Sequence, residues 1–270
     1  RSLADHRNRG REWGLNHKQG GMFMLPGAVH GLKDLHARFS LRDVILNRQF
    51  FLRADEDTVL ICAANRIYHM DFRPAIAQHQ KSGAAITIAV MPVPWEEASR
   101  FGIMNTDDTG MITEFEEKPK KPKSNLASMG IYIFTWKVLR EALIKMRSVP
   151  GCDFGKHILP ECLENGERLF AYEYNGYWKD VGTLGSYWAA NMELIDIIPE
   201  FNLYEEFWKI YTKSDAVPPL YVSEDGFIER SIVCGNSTIE GTVINSVIGA
   251  NVHICKGAVV RDSIIMKNTT

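Results

Sequence analysis

The chain has 270 residues, 45% of them apolar and 24% charged, with a formal net charge of −2. That length holds one large domain or two smaller ones, and the near-neutral balance offers no general surface for nucleic acid or an anionic membrane. No apolar run approaches the ~18 residues that cross a bilayer, and the opening RSLADHRNRGREW is charged, unlike a signal peptide.

In chain order, Gly10, Gly14, Gly20, Gly21, Gly27 and Gly31 interrupt the first 50 residues, and a short helix is expected over Leu41 to Leu52. TVLICAA (58–64) reads as a fully buried strand. Asp71 is expected to cap a helix with Pro74 in its first turn and an end near Gly83. AAITIAVMPV (84–93) has Ile86, Ile88 and Val90 on one face and is the second strand of a β-α-β unit. A right-handed crossover makes its two strands parallel. TDDTG (106–110) is a hairpin turn, KPKKPKS (118–124) a loop, and LASMGIYIF (126–134) a strand. Thr135 then caps a helix with Val138, Leu139, Ala142, Leu143 and Met146 on one stripe. RLFAYEY (168–174) is a strand, and TLGSYWAANMELIDI (183–197) a helix capped by Thr183. Strands alternating with helices predict an α/β domain with a mainly parallel sheet over residues 1–198.

Residues 199–221 read as a linker, rich in aromatics from Phe201 to Tyr211 that suit interdomain packing. From 222 to 270, Ile248, Ile254, Val260 and Met266 recur every six residues, with Val233 and Ile239 in the same step. This period, with small turn-forming residues between, predicts a partial left-handed parallel β-helix of about two coils. Cys62, Cys152, Cys162, Cys234 and Cys255 form no CxxC pair and read as reduced thiols of a cytoplasmic protein. Both ends look cut, so a fragment of a longer chain is expected.

Five blocks narrow the reading: PVPWEEASRFGIM (92–104), FEEKP (115–119), SNLASMGIYIF (124–134), CDFGKHILP (152–160) and YWKDVGTLGSYWAANMEL (177–194). In this order they closely resemble bacterial glucose-1-phosphate adenylyltransferases, or ADP-glucose pyrophosphorylases. SLADHRNRGREWGLNHKQGG (2–21) looks like that family's SL-x-x-H…W-x-L…GG stretch. The resemblance covers nearly the whole chain, with a weak patch at about 28–66. It implies a nucleotidyltransferase-type (Rossmann-like) domain that makes ADP-glucose and pyrophosphate from ATP and glucose 1-phosphate, for glycogen or starch. It also implies Mg²⁺ and a homo- or hetero-tetramer. In such a reaction the sugar phosphate attacks the α-phosphorus in line, and the protein positions two anions and neutralises their charge.

Carried over motif by motif, the resemblance puts Glu117 and Lys118 on glucose 1-phosphate, Lys118 as a point charge for the phosphate and Glu117 as acceptor for sugar hydroxyls. Ser128 and Tyr132 alternate onto one strand face. Gly102 allows close backbone approach, Asp153 and Phe154 complete the sugar pocket, Trp178 walls it, and Asp180 is the matching metal ligand. His157 reads as a satisfied histidine at a helix start.

The chain also departs from the family. The glycine-rich nucleotide loop lies outside it. The stretch expected to read W-Y-x-G-T reads His36 to Asp43, with Phe39-Ser40 at the Gly-Thr pair. The family's S-G-D-H-I-Y-K-M-D-Y aligns without gaps on Ala63 to Phe72, which puts Asn65 at the other metal position. A neutral amide oxygen is a poorer ligand than a carboxylate for a hard dication. Residues 28–72 look more like the family's non-catalytic regulatory paralogues, residues 85–266 like its catalytic chains. Little or no turnover is therefore expected, with a regulatory subunit as the alternative. A third reading, a β-helix acyltransferase using His253, has much less behind it.

Overall fold

A computed structural model describes residues 10–17, 20–23, 25, 44, 47–52, 56–146, 149, 152–212 and 216–270. Residues 2–9 of the opening motif and the stretch 36–43 fall outside these. Of the helix expected over 41–52, the described residues show the turn Arg48–Phe51. The chain divides into two compact units, residues 24–178 and the combination of 1–23 with 179–270. Segment 179–198, expected with the α/β domain, groups here with the coil.

The first unit is built on one sheet. Its strands are β1 (Thr58–Cys62), β3 (Ile86–Pro92), β4 (Gly102–Thr106), β5 (Ile112–Glu117), β6 (Leu126–Thr135) and β7 (Leu169–Glu173), while β2 (Arg66–Tyr68) lies outside that sheet. The order is β5-β4-β6-β3-β7, with β1 also on β6. β1, β3, β4 and β7 share one direction, as a mainly parallel sheet requires, yet only β3 and β7 bond as parallel neighbours. β6 runs against β1, β3 and β4 and pairs with all three. The β-α-β strands β1 and β3 are thus parallel but separated by β6.

Period-two alternation puts a core on each face of the sheet. On one face Ile86, Ile88, Val90 and Phe134 meet Leu139, Ala142 and Leu143 of helix α2 (Trp136–Lys145) and Leu159 of α3 (Leu159–Glu164). On the other, Ala89, Met129, Ile131 and Ile133 meet Ala75 of α1 (Phe72–Ser82). Val59 and Ile61 serve the first core and Leu60 the second. β1 is only half buried and stops at Cys62, two residues short of its expected end. A continuous apolar run does not reveal whether a strand has neighbours on one edge or two, and β1 bonds to β6 alone among the described strands.

The capping residues act as their chemistry dictates, with one exception. The Asp71 carboxylate accepts from the Arg73 N–H at the start of α1, which ends at Gly83 with φ 61°. The Asp107 carboxylate holds the TDDTG turn by accepting from the N–H groups of Thr109 and Met111. Thr135 occupies the cap position of α2 but makes no capping bond. Its hydroxyl donates to the Ala84 carbonyl at 2.9 Å and so accepts from the Nε2–H of buried His79 at 3.2 Å. His79 Nδ1 then accepts from the Thr87 hydroxyl at 2.9 Å, which makes the ring a neutral pin joining α1, β3 and β6.

In the second unit, helix α4 (Leu184–Glu193) starts with a reciprocal box between Thr183 and Ser186. The Trp188 indole N–H donates to the Asp262 carbonyl at 2.9 Å, seating α4 on the coil. The coil has three parallel walls of three strands each. Tyr221–Val222, Thr238–Ile239 and His253–Ile254 form one, Phe227–Glu229, Thr242–Ile244 and Val259–Arg261 the second, and Ile232–Val233, Val247–Ile248 and Ile264–Ile265 the third. That is one rung more than expected, because the first coil opens on Tyr221 and Phe227 and lacks the six-residue signature. Successive rungs lie 15 or 17 residues apart (Phe227 to Thr242, then Thr242 to Val259). A strict step of six therefore drifts, and Met266, expected inside, is 63% exposed while Ile265 packs on the core.

The coil corners carry an asparagine ladder. Asn236, Asn251 and Asn268 all have positive φ, and their amides bond in series at 3.0 and 2.8 Å. His253 is held by Glu240 at 3.0 Å, which leaves little to support an acyl-transfer role.

Two measurements test this account. Asn251→Ala loses both amide bonds and strains a left-handed backbone, at a cost of roughly 2 kcal/mol, while Asn251→Gly loses only the bonds, at about 1 kcal/mol; chemical denaturation of the two variants should preserve this order. Burial holds His79 below its ordinary value of 6.5. The unfolded chain then binds more protons as pH falls, so the stability is present above about pH 6.5 and lost below it. Acid titration of unfolding should show this loss, and His79→Gln should lack that component.

Candidate functional site

The site in the first unit starts from an irregularity in β6. Between Ser128 and Tyr132 the strand takes four steps where β3 takes two, from Val90 back to Ile88. Gly130, at φ 73°, absorbs the surplus, and a Cβ there would meet the Ala63 side chain at 3.0 Å. Such bulges re-aim side chains. Here the Ser128 hydroxyl accepts from the Gly130 N–H at 3.2 Å and lies 3.4 Å from the Tyr132 hydroxyl. The two expected sugar-binding hydroxyls do share one face. Burial pushes the Tyr132 phenol up to about 12, so it stays protonated and able to donate. Its ring stacks on Phe154, with centroids 5.7 Å apart and planes 20° apart, and Phe154 is buried in the core behind it.

Glu117 ends β5 directly opposite Gly102 on β4. Its carboxylate lies 3.6 Å from the Lys118 ammonium. Burial raises the Glu117 carboxyl above the ordinary range, Lys118 opposes this, and the charge of Asp153 adds to it. Lys118 has φ 53°, alone among the described non-glycine residues of this unit. Its N–H donates to the Phe101 carbonyl at 3.0 Å, which fixes the turn and aims the side chain. A Cβ at Gly102 would lie 2.9 Å from Glu117 Oε2 and 2.6 Å from the Phe115 ring. The bare backbone of Gly102 thus accommodates the protein's own Glu117 and Phe115.

Asp153 precedes a π-type turn, Phe154–Ile158, and caps it by accepting from the N–H groups of Gly155 and Lys156 at 2.9 and 3.1 Å. Such turns are rare and cluster at functional sites. The Asp153 N–H donates to His157 Nδ1 at 3.1 Å, so His157 serves the turn. Burial is the main cause of the Tyr132 shift, and the charges of Glu117 and Asp153 add to it while that of Arg66 opposes it. Trp178 packs edge-on against Phe101 at 5.4 Å, and the Arg66 guanidinium lies 5.6 Å over its ring. Its buried indole N–H has no hydrogen-bond partner among the described residues.

Of the residues singled out from the sequence, Gly102, Glu117, Lys118, Ser128, Tyr132, Asp153, Phe154 and Trp178 all belong to this unit. Asp180 belongs to the other, where its carboxylate accepts from the Gly182 N–H at 2.8 Å. Two residues escaped sequence reasoning. Gly155 stood in the motif CDFGKH, but nothing in a string of letters says what a glycine makes room for. Arg66 lay inside the aligned stretch Ala63 to Phe72 and was assigned no role.

Comparison with known proteins agrees with this architecture. A nucleotidyl transferase family model matches residues 40–197, and a model of the GlmU-like C-terminal hexapeptide region matches 221–270. The glucose-1-phosphate adenylyltransferase of Clostridium perfringens is 42% identical over 99% of this chain and 69% of its own length. The chain belongs to the glucose-1-phosphate adenylyltransferase family. The namesake proteins of Lachnospira eligens and Acetivibrio thermocellus are 54% and 41% identical over 93% and 99% of the chain. The chain spans only 60% and 63% of their lengths. No helix among the described residues is long and apolar enough to cross a membrane.

Nucleotidyltransferases of this kind generally use Mg²⁺. Asn65 is an exposed turn residue whose carbonyl accepts from the Arg66 guanidinium at 3.2 Å. Mg²⁺ in such sites takes one or two carboxylates with waters and phosphate oxygens; a neutral amide beside a permanent cation offers no carboxylate, so residues 65 and 66 do not fit the ion.

The raised carboxyl of Glu117 sets a trade between stability and binding. A raised folded-state value means stability present at low pH and lost as pH rises through it. Glu117→Gln should therefore raise the unfolding midpoint at pH 7 while weakening any ligand held by the carboxylate, which differential scanning calorimetry with and without ligand would show.

Proposed function

We propose that this chain binds glucose 1-phosphate in the space around Glu117 and works in ADP-glucose synthesis as its family does, with its own turnover low or absent. The observation that carries the reading is the half-buried Glu117 carboxylate 3.6 Å from the Lys118 ammonium, with the Ser128 and Tyr132 hydroxyls 3.4 Å apart in the same unit. Glu117 accepts from hexose hydroxyls and Lys118 neutralises the phosphate. Ser128 and Tyr132 offer hydroxyls from the bulged strand, which orient the sugar without ionising. Trp178 supplies an apolar wall and one N–H donor. Phe154 backs Tyr132, Asp153 holds the turn behind Glu117, and Gly102 leaves the carboxylate its space. Asp180 is the one carboxylate that the resemblance assigns to a metal. Mg²⁺ would supply charge neutralisation at the phosphates, but residues 65 and 66 argue against a full site. ATP, ADP-glucose and a homo- or hetero-tetramer enter through the family alone.

The Asn65-Arg66 pair favours a second reading, a non-catalytic subunit that binds sugar phosphate and assembles with an active paralogue.

Calorimetric titration with glucose 1-phosphate, with and without Mg²⁺, tests the proposal. Saturable binding of similar affinity in both conditions is expected, and no binding in either removes the sugar site. ADP-glucose formation at roughly 1 per second or more would overturn the claim of low turnover. Stable co-purification with an active paralogue would favour the regulatory reading.

A further inference from the structure

Gly155 has no conformational reason to be glycine. Its φ lies outside the left-handed region, and its N–H is already held by Asp153. The reason is space. A Cβ on Gly155 would lie 2.9 Å from Glu117 Cδ and closer still to Oε2. By contrast, Gly166 and Gly185 have nothing within 4 Å of such an atom. Gly102, on a different element, faces the same Oε2. Two bare backbone positions, one on β4 and one in the π-type turn, thus converge on a single carboxylate oxygen.

We propose that Gly155 is a positioning residue that acts through Glu117: its missing side chain leaves the space in which the carboxylate stands, so it decides whether a sugar phosphate meets that carboxylate in place. The obstructed group would be rooted in backbone, and the Asp153 cap ties that backbone to the turn. Relief must therefore come from Glu117, which would swing out of its place. This rests on the reading of Glu117 as a sugar-binding group, and the experiment separates the two.

The Gly155→Ala, Glu117→Ala and combined variants are compared with the wild-type chain for thermal unfolding and for calorimetric binding of glucose 1-phosphate. Gly155→Ala is expected to weaken binding about tenfold or more. In the Glu117→Ala background the same change should raise the unfolding midpoint by about 2 °C or more relative to its effect in the wild-type chain, because the atoms it would strike are gone. An equal shift in both backgrounds, or wild-type affinity in Gly155→Ala, overturns the proposal. If Gly155→Ala does not fold and the combined variant does, the steric coupling is upheld. If the wild-type chain binds no glucose 1-phosphate, the sugar reading of Glu117 fails, while the unfolding midpoints still decide whether Gly155 holds the carboxylate.

Discussion

The first unit depends on one strand meeting two demands. β6 bonds to β3 along one edge and to β1 and β4 along the other. It must also yield at Gly130, where its pairing with β3 loses step. A regular strand would keep its ladder intact but would point Ser128 and Tyr132 where the pleat dictates. The left-handed glycine gives up regularity at one place, and the two hydroxyls come within 3.4 Å of each other. Ala63 closes against this bend, so the end of β1 and the shape of the site are settled by the same backbone feature.

Around that bend the protein gathers groups that are costly to bury. Glu117 is desolvated and faces a second acid, and Lys118 and Lys156 offset part of the cost. The buried Trp178 N–H has no hydrogen-bond partner among the described residues. Neither helps folding, since unmet polar groups and desolvated charges oppose it. Both are what a site needs if a polar ligand is to complete it. Stable two-faced packing by Ile86, Ile88, Phe134 and Ile133 offsets these local costs.

Much of this could be read from letters. Asp71, Asp107 and Thr183 announce their helices and turn because short polar side chains bond to nearby N–H groups whatever lies far away. Long-range facts were harder to see. TVLICAA looks the same in a central strand as at an edge, so β1 was read as buried. The coil was recognised by its period, but its rungs step by 15 and 17, and a six-residue count misplaced Met266. Thr135 stood where a cap belongs, yet His79, 56 residues away, claims its hydroxyl. The residues proposed for the sugar site were named through family resemblance, and their grouping in one unit rests on the fold. Gly155 was invisible, because its meaning is the absence of atoms beside a residue 38 positions earlier.

The strand order also bears on synthesis at the ribosome. β1 and β3 are made early, yet neither bonds to the other, and each needs β6. Forty-three residues separate Pro92 from Thr135, which at ~5–20 residues per second is a wait of roughly 2 to 9 seconds. During it, β1 and β3 lack β6, and the Nε2 of His79 lacks Thr135. A nascent chain of this design is exposed to premature association for that interval, and the other edge of β3 stays open until β7, residues 169–173, emerges.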